Sequence, residues 1–271
     1  MNKILIIGLI NSILLSQSIP FIKGVDISML DQIEDNGGIF YDNSIEIDPI
    51  PFFKSRGVNT VRLKIWHTPI MNYNNIESIL EMAERIKQSE LDFLLNFHYS
   101  DTWADPSKQE IPSDWLNYIN DTETLGDLLY NYTFDTLNNL ANSGLLPDIV
   151  QIGNEINPMI LQHDELKWPI DWARNSSLIN KGIKAVRDVS SKTSTNVEVM
   201  LHIAQPENGL WWFKEAYSAG ISDYDWIGLS YYPIWSEYTL SNISSPLKLS
   251  LIHISEPTRP ERISYAVFCL K

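Results

Sequence analysis

The sequence predicts an α/β protein with the fold of a (β/α)8 barrel, in which about six of the eight strand–helix units are present. Segments typical of strands alternate with segments typical of helices about every 35 residues, the rhythm of parallel strands joined by helices. Polar motifs follow the predicted strands, where a barrel carries its active site. No Gly-x-Gly-x-x-Gly follows the first predicted strand, which disfavours a doubly wound dinucleotide-binding sheet.

The predicted strands are short apolar runs rich in β-branched and aromatic residues. They cover residues 21–28, 59–66, 91–99, 149–153, 197–203 and 224–232. The intervening helices are predicted from apolar residues on one helical face, which in residues 75–90 stand at positions 76, 79, 80, 83 and 86. The other predicted helices cover residues 49–56, 122–143, 177–190 and 210–218.

The fourth predicted strand leads directly into Gly153, Asn154 and Glu155. A buried carboxylate is costly unless it is paired or hydrogen-bonded, and the carboxyl ends of barrel strands face the active site. We therefore expect Glu155 to be a general acid whose pKa is raised by apolar surroundings, and Asn154 to hold a substrate hydroxyl. In the alternative, structural interpretation, Glu155 caps the next helix and Asn154 forms a turn.

The second predicted strand contains one cation, Arg62, among apolar neighbours. If its side chain faces the barrel interior, it would hold a nearby carboxylate ionised. The alternative is an outward Arg62 that pairs with a carboxylate on a helix.

The third predicted strand is followed by hydrogen-bonding groups and an aromatic ring within nine residues. These include His98, Asp101, Trp103 and Asp105, with Lys108 and Gln109 just beyond. Together they predict a polar groove around an aromatic stacking platform. Taken singly, His98 and Trp103 would be ordinary core residues.

The last two predicted strands end in His202 and in the segment that contains Tyr231, Tyr232 and Trp235. The signal at His202 is weaker, because loop packing would explain it equally well. A tyrosine hydroxyl here would orient a nucleophilic carboxylate, and Trp235 would form the floor of a sugar site. Because neighbouring strand residues face opposite sides, only one of the two tyrosines can do this. The sequence has no metal-ligand spacing and no Gly-x-Ser-x-Gly motif, so we expect no metal, no cofactor and no esterase chemistry.

The composition favours a neutral polymer as partner. The net charge of −14 repels nucleic acid and anionic membranes, whereas nine Trp and twelve Tyr suit the flat apolar faces of sugars. Residues 1–18 predict a cleaved secretory signal peptide, because Lys3 precedes an apolar run over residues 4–15, which is followed by small residues at the positions a signal peptidase reads. The apolar run is too short to span a membrane. We therefore expect a secreted, soluble monomer; the alternative is an uncleaved anchor.

Taken together, the motifs resemble those of glycoside hydrolase family 53, the secreted arabinogalactan endo-β-1,4-galactanases. The resemblance extends from about residue 24 to residue 235 and is carried by residues 24–28 (GVDIS), 57–66 (GVNTVRLKIW), 98–101 (HYSD), 103–106 (WADP), 108–109 (KQ), 150–155 (VQIGNE) and 227–233 (IGLSYYP). It implies a clan A barrel, hydrolysis of β-1,4-galactan with retention, Glu155 as acid/base, and a glutamate nucleophile after strand seven. The residues expected to contact the polysaccharide are Arg62, Trp66, His98, Asp101, Trp103, Asp105, Asn154, His202, Tyr231, Tyr232 and Trp235.

The end of the chain departs from this pattern. No seventh strand is predicted after Trp235, and residues 249–271 resemble a translated sequencing-adapter peptide. We therefore expect a signal peptide at 1–18, a partial catalytic domain at 19–248 and a non-native tail at 249–271. Because Pro257 disfavours a strand around Glu256, that residue is not expected to supply the nucleophile, and the chain as written is expected to be inactive.

Two competing functions stay open. One is another clan A activity, such as that of a mannanase or xylanase. The other is a non-catalytic carbohydrate-binding protein, whose aromatic loops would be the same. Release of reducing ends from galactan separates an enzyme from a binding protein.

Overall fold

The computed structural model describes residues 21–162, 168–239, 241–242 and 264–268. In chain order its elements are β1 (Gly24–Asp26), α1 (Leu30–Asp35), β2 (Phe40–Asp42), β3 (Ile45–Ile47), α2 (Pro49–Ser55), β4 (Thr60–Ile65), α3 (Ile76–Gln88), β5 (Asp92–Phe97), α4 (Thr122–Asn142), β6 (Ile149–Ile152), α5 (Trp172–Thr193), β7 (Glu198–Ala204), α6 (Gly209–Ser218), β8 (Trp226–Ser230) and β9 (Ser264–Phe268). Two short 3₁₀ helices, Ser113–Tyr118 and Pro206–Asn208, precede α4 and α6.

One parallel sheet organises the chain. Its strand order is β1-β4-β5-β6-β7-β8-β9, and the antiparallel pair β2-β3 forms a separate hairpin. Each strand pairs with the next strand of the barrel order, and most of these connections pass through a helix, as in a (β/α)8 barrel. The predicted fold class is therefore confirmed, and each of the six predicted strands overlaps an observed one.

The two faces of the sheet differ in chemistry. The face that packs against the helices is apolar, as in Val61, Phe93 and Val199, and it belongs to the main hydrophobic core. The opposite face has a small apolar layer formed by Leu94, Ile149, Met200 and Trp226. Towards the carboxyl ends of the strands this inner face turns polar, and its buried polar residues are Arg62, Lys64, Asn96, His98, Gln151, His202 and Ser230. The fold thus brings polar groups of five strands into one buried region.

The helices begin where short polar side chains cap them. Asp48, Asn75, Asp121 and Asp171 each accept a hydrogen bond from a backbone N–H in the first turn of α2, α3, α4 and α5. The cap at Asp171 explains why α5 begins five residues before the predicted start at 177. Helix α1 and the β2–β3 hairpin were not predicted, because segments this short carry little periodic signal.

The expectation that residues 249–271 contain no strand is wrong for Ser264–Phe268. Strand β9 pairs in parallel with β8, and Trp226 lies opposite Ser264 in the register. An unpaired edge of β8 would leave backbone donors and acceptors unsatisfied, and this segment contains the aromatic and β-branched types that favour strands. The predicted signal peptide and most of the predicted tail lie outside the described residues. None of the helices in the described part of the chain combines the length and the apolar composition of a membrane span.

Candidate active site

Glu155 lies just beyond the carboxyl end of β6 and is only 5% exposed. Its backbone has φ 50°, a left-handed conformation that costs a non-glycine residue on the order of 1–3 kcal/mol. Gly153 makes the turn possible, because its φ is 80° and a Cβ there would lie 2.4 Å from Ile156 Cγ2. The strand end is therefore shaped to turn the Glu155 carboxyl towards the polar face of the sheet.

His202 on β7 holds the backbone of Glu155 directly and its carboxyl group through Ser230. Its Nδ1 accepts a hydrogen bond from the Glu155 backbone N–H at 3.1 Å, and its Nε2 lies 3.2 Å from Ser230 Oγ on β8. Burial, aided by the charge of Arg62, lowers the pKa of His202 well below its usual value, so the ring is neutral. Since Nδ1 accepts, Nε2 carries the proton and donates to Ser230, whose own O–H is free to donate to the Glu155 carboxyl.

The pKa of Glu155 is raised, and burial is the main cause. The negative charge of Asp105 raises it further, whereas hydrogen bonds from Ser230 and Tyr232 and the charge of Arg62 act in the opposite direction. The Tyr232 hydroxyl lies 3.4 Å from Glu155 Oε1. This environment is suited to a carboxyl group that keeps its proton at higher pH than a free glutamate, as a general acid requires.

Arg62 faces the interior of the sheet, and its outward alternative is wrong. Its guanidinium pairs with Asp26 Oδ2 at 2.7 Å, donates to Asn154 Oδ1 at 2.8 Å and donates to Gln151 Oε1 at 3.2 Å. The residue is 1% exposed. Arg62 therefore joins β1, β4 and β6 beneath Glu155.

Asn154 is held by protein groups on both sides of its amide. Oδ1 accepts from Arg62, and Nδ2 donates to the Ala104 carbonyl at 2.7 Å. The backbone carbonyl of Asn154 accepts from Gln109 Nε2 at 2.8 Å, and that of Glu155 accepts from the same atom at 3.3 Å. A substrate contact by Asn154 stays a prediction, and one N–H of its amide is not used by these bonds.

His98, Trp66 and Trp103 form an aromatic group next to the carboxyl end of β5. His98 Nδ1 accepts from Trp66 Nε1 at 3.2 Å and from the Ala104 N–H at 3.1 Å, and burial lowers the pKa of His98 well below its usual value. His98 Nε2 is buried and makes no hydrogen bond to any described residue. The Trp103 ring meets the imidazole edge-on at 5.2 Å and is 39% exposed, which suits a stacking surface.

Lys64 sits against the same group. Its Nζ lies 5.2 Å from the Trp66 ring centre and 5.4 Å from that of Trp103, within the range of cation–π attraction. Burial lowers the pKa of Lys64, and it is only 4% exposed. The aromatic platform thus has a buried cation beneath it.

The two tyrosines after β8 differ as their alternation requires. Tyr232 reaches Glu155, whereas Tyr231 is buried and donates to the Tyr238 carbonyl at 2.8 Å. Trp235 is 70% exposed and lies 5.1 Å from Tyr232 between ring centres. Of the pair, Tyr232 therefore belongs to the site and Tyr231 supports the loop.

Asp101 is not brought into the Glu155 group. Oδ1 accepts from the Thr68 N–H at 3.0 Å, and Oδ2 accepts from the N–H and hydroxyl of Ser113 at 2.8 Å each. It lines a separate surface cavity of about 350 Å³. These bonds give Asp101 a role in joining two loops. Asp105, by contrast, influences the site, because its negative charge raises the pKa of Glu155.

Residues 22–253 match the family model described as glycosyl hydrolase family 53. The chain belongs to this family. A relative from Cellvibrio japonicus, named arabinogalactan endo-beta-1,4-galactanase, is 47% identical over 227 residues, which are 83% of this chain and 60% of that protein. A relative of the same name from Thermothelomyces thermophilus is 35% identical, over 83% of this chain and 68% of that protein. This chain therefore spans 60% of the length of its Cellvibrio relative.

Two solved structures share the fold of this chain. The catalytic domain from Ignisphaera aggregans has a TM-score of 0.77 at 31% identity and covers 91% of this chain and 68% of its own. A structure from a study of two fungal beta-1,4-galactanases has a TM-score of 0.74 at 34% identity and covers 83% of this chain and 68% of its own.

Several residues of the site were not singled out from the sequence. Ser230, Gln151 and Asp26 all contact the Arg62 or Glu155 group, and each is a polar residue in an otherwise apolar strand. That pattern was the available signal. Among the described residues, no three His, Cys, Asp or Glu side chains are grouped to hold a metal ion.

Proposed function

We propose that the protein is a retaining endo-acting glycosidase that cleaves β-1,4-galactosidic bonds of arabinogalactan and pectic galactan. The observation that carries this proposal is the buried Glu155 carboxyl with a raised pKa, held by Ser230 and Tyr232 at a strand end. The names of the relatives from Cellvibrio japonicus and Thermothelomyces thermophilus support the choice of galactan.

In the proposed reaction Glu155 acts twice. It first donates its proton to the glycosidic oxygen while a second carboxylate, roughly 5–5.5 Å away in retaining enzymes, attacks the anomeric carbon. The C–O bond to the leaving sugar breaks, and a covalent glycosyl-enzyme forms. Glu155 then takes a proton from water, which attacks the anomeric carbon and releases the carboxylate. We assign the attacking carboxylate to none of the described residues.

The surrounding residues prepare Glu155 for these steps. The Ser230 and Tyr232 hydroxyls donate to the carboxyl, so they stabilise the anion left after proton donation. Burial and Asp105 oppose ionisation and keep the proton in place before the reaction. The exposed rings of Trp103 and Trp235 offer apolar surfaces for the sugar units on either side.

The test compares reducing-end release from β-1,4-galactan, β-mannan and xylan by the full-length protein, including the strand that carries the attacking carboxylate, and by its Glu155→Gln variant. Because the amide keeps the shape and loses the proton, we expect galactan turnover to fall on the order of 10² to 10⁴, with binding retained. The loss should be smallest for substrates with good leaving groups. Glu215→Gln, an exposed glutamate on α6, is the matched control and should change nothing.

Each contrary outcome has a separate meaning. Wild-type turnover by Glu155→Gln would remove the assignment of the acid. Cleavage of mannan or xylan in preference to galactan would point to a different clan A activity. Galactan binding without release of reducing ends would favour a non-catalytic carbohydrate-binding protein.

We further infer that the protein is exported as a monomer after cleavage near residue 18, as the apolar run at the N-terminus suggests. Expression of the whole gene in its host, followed by mass analysis of the protein from the medium, tests this. An intact N-terminus in a cell-associated protein would contradict it.

A further inference from the structure

Two exposed tryptophans meet on the rim of the barrel, apart from the residues that contact Glu155. Trp168 lies in the connection from β6 to α5, and Trp211 lies in the first turn of α6, which follows β7. Their ring centres are 6.3 Å apart with an interplanar angle of 56°, and the residues are 61% and 37% exposed. Both follow strands whose carboxyl ends carry the Glu155 site, so both rings lie on the side of the sheet where the site opens.

The Trp211 ring is held in place although it faces solvent. Its Nε1 donates to Asn208 Oδ1 at 3.1 Å, and Asn208 Nδ2 donates to the carbonyl of Ala204, the last residue of β7, at 2.9 Å. A tryptophan whose polar atom is already bonded to the protein presents a fixed apolar face. A ring of this kind loses little conformational entropy when a ligand stacks on it.

Asn208 belongs to the short 3₁₀ helix Pro206–Asn208, which also supports the loop that carries Trp235. Within Pro206–Asn208, Glu207 Oε1 accepts from Ser236 Oγ at 2.5 Å and from the Glu237 N–H at 2.6 Å. These bonds fix the segment that follows Trp235. Pro206–Asn208 therefore anchors Trp211 on one side and the loop containing Trp235 on the other, which makes the two surfaces neighbours on one rim.

We propose that Trp168 and Trp211 form an accessory binding site for a galactosyl unit of a long β-1,4-galactan, beyond the units that flank Glu155. The site rests on the proposed function. A galactose ring has one face of C–H groups, and an indole ring is the side chain best suited to cover it. The net charge of −14 disfavours an anionic ligand, and a neutral sugar polymer reaching the Glu155 site passes over this rim.

The experiment measures binding rather than turnover. Affinity electrophoresis with long β-1,4-galactan and calorimetry with galactobiose are run on the protein and on Trp168→Ala, Trp211→Ala and Trp211→Tyr. Tyr217→Ala is the matched control, since Tyr217 lies in the last turn of the same helix and is also 37% exposed. Thermal melting of each variant checks that the fold is retained.

We expect each alanine variant to weaken binding of long galactan roughly tenfold, the equivalent of 1.4 kcal/mol, without changing the affinity for galactobiose. Trp211→Tyr should retain much of the binding, and Tyr217→Ala should retain all of it. If all variants bind galactan equally, the accessory site is wrong while the proposed function stands. The same conclusion follows if the alanine variants lose binding of galactobiose as well as of long galactan. If the unmodified protein binds no galactan, the proposed function and the accessory site both fail.

Discussion

Opposing influences set the ionisation of Glu155. Burial removes water from the carboxylate and raises its pKa, while two hydroxyl donors and the charge of Arg62 lower it. The first influence prevails, so the folded protein holds this proton more tightly than the unfolded chain does. The same residue therefore links chemistry to stability.

Glu155→Gln should be more stable than the unmodified protein at pH 7. Above the unfolded pKa of about 4.3, the folded state binds more protons at Glu155 than the unfolded state, so its unfolding free energy falls as pH rises through the raised pKa. The amide removes this penalty. Melting curves at pH 7 and near pH 4 measure it, and the gain should vanish at the lower pH. Glu215→Gln serves as control, and an equal gain at both pH values would contradict the prediction.

Ser230→Ala should move the alkaline limb of the pH–rate profile. The Ser230 hydroxyl lowers the pKa of Glu155, so without it that pKa rises and the acid form persists to higher pH. His202 Nε2 loses its acceptor, which should also cost about 1–3 kcal/mol of stability. The profile of kcat/KM on galactan from pH 4 to 9 is the measurement, with the exposed Ser218→Ala as control. Lower stability with an unmoved alkaline limb would limit Ser230 to a structural role.

At the scale of elements, close packing between β7 and β8 places the His202 ring. Gly228 on β8 lies opposite His202 in the strand register. A Cβ at Gly228 would lie 2.8 Å from His202 Cδ2 and 2.9 Å from Met200 Sδ. The missing side chain of one strand therefore makes room for the imidazole of the next.

Gly228→Ala should displace His202 and cost about 1–3 kcal/mol through overpacking. Because His202 accepts the Glu155 N–H, galactan turnover should fall as well. Gly126→Ala is the control, since this helical glycine of α4 would meet only flexible side chains, Lys181 Cγ at 3.2 Å first, and should be neutral or stabilising by up to about 1 kcal/mol. Urea unfolding and turnover are compared for both variants. Gly228→Ala with unchanged stability would show that the strands separate easily.

At the scale of the whole molecule, Arg62 joins distant parts of the chain. It pairs with Asp26, which is 36 residues away, and bonds to Asn154, which is 92 residues away. Strands β1, β4 and β6 thus share one buried cation. Replacing it leaves a mostly buried carboxylate and amide groups without this donor.

Arg62→Met should lower the unfolding free energy by about 3–5 kcal/mol, because removing one partner of a buried pair leaves the other uncompensated. Arg56→Met is the control, since Arg56 pairs with Asp42 at 3.0 Å on the surface and should cost no more than about 1 kcal/mol. Urea unfolding gives both values. Similar losses for the two variants would mean that the buried pair gives no more stability than a surface one.

Local sequence patterns were sufficient to predict the parallel sheet, the six strands from β1 to β8 of the barrel order, and the strand-end position of Glu155. These follow from local information, because hydrophobic period and turn residues are written along a single segment. The same information placed His98, Trp103 and Tyr232 at strand ends. It did not show whether Arg62 faces the barrel interior or a helix, or which of Tyr231 and Tyr232 faces the site.

Contacts between distant segments answer these questions and define which residues belong to the site. Arg62 faces the interior because its hydrogen-bond acceptors lie there, on Asp26, Gln151 and Asn154. Asp101 lies outside the site because its carboxylate accepts hydrogen bonds from Thr68 and Ser113. The bonds that join His202, Ser230 and Glu155 depend on the register of three strands far apart in sequence. Register and the contacts across it are set by packing between segments, and no single segment contains that information.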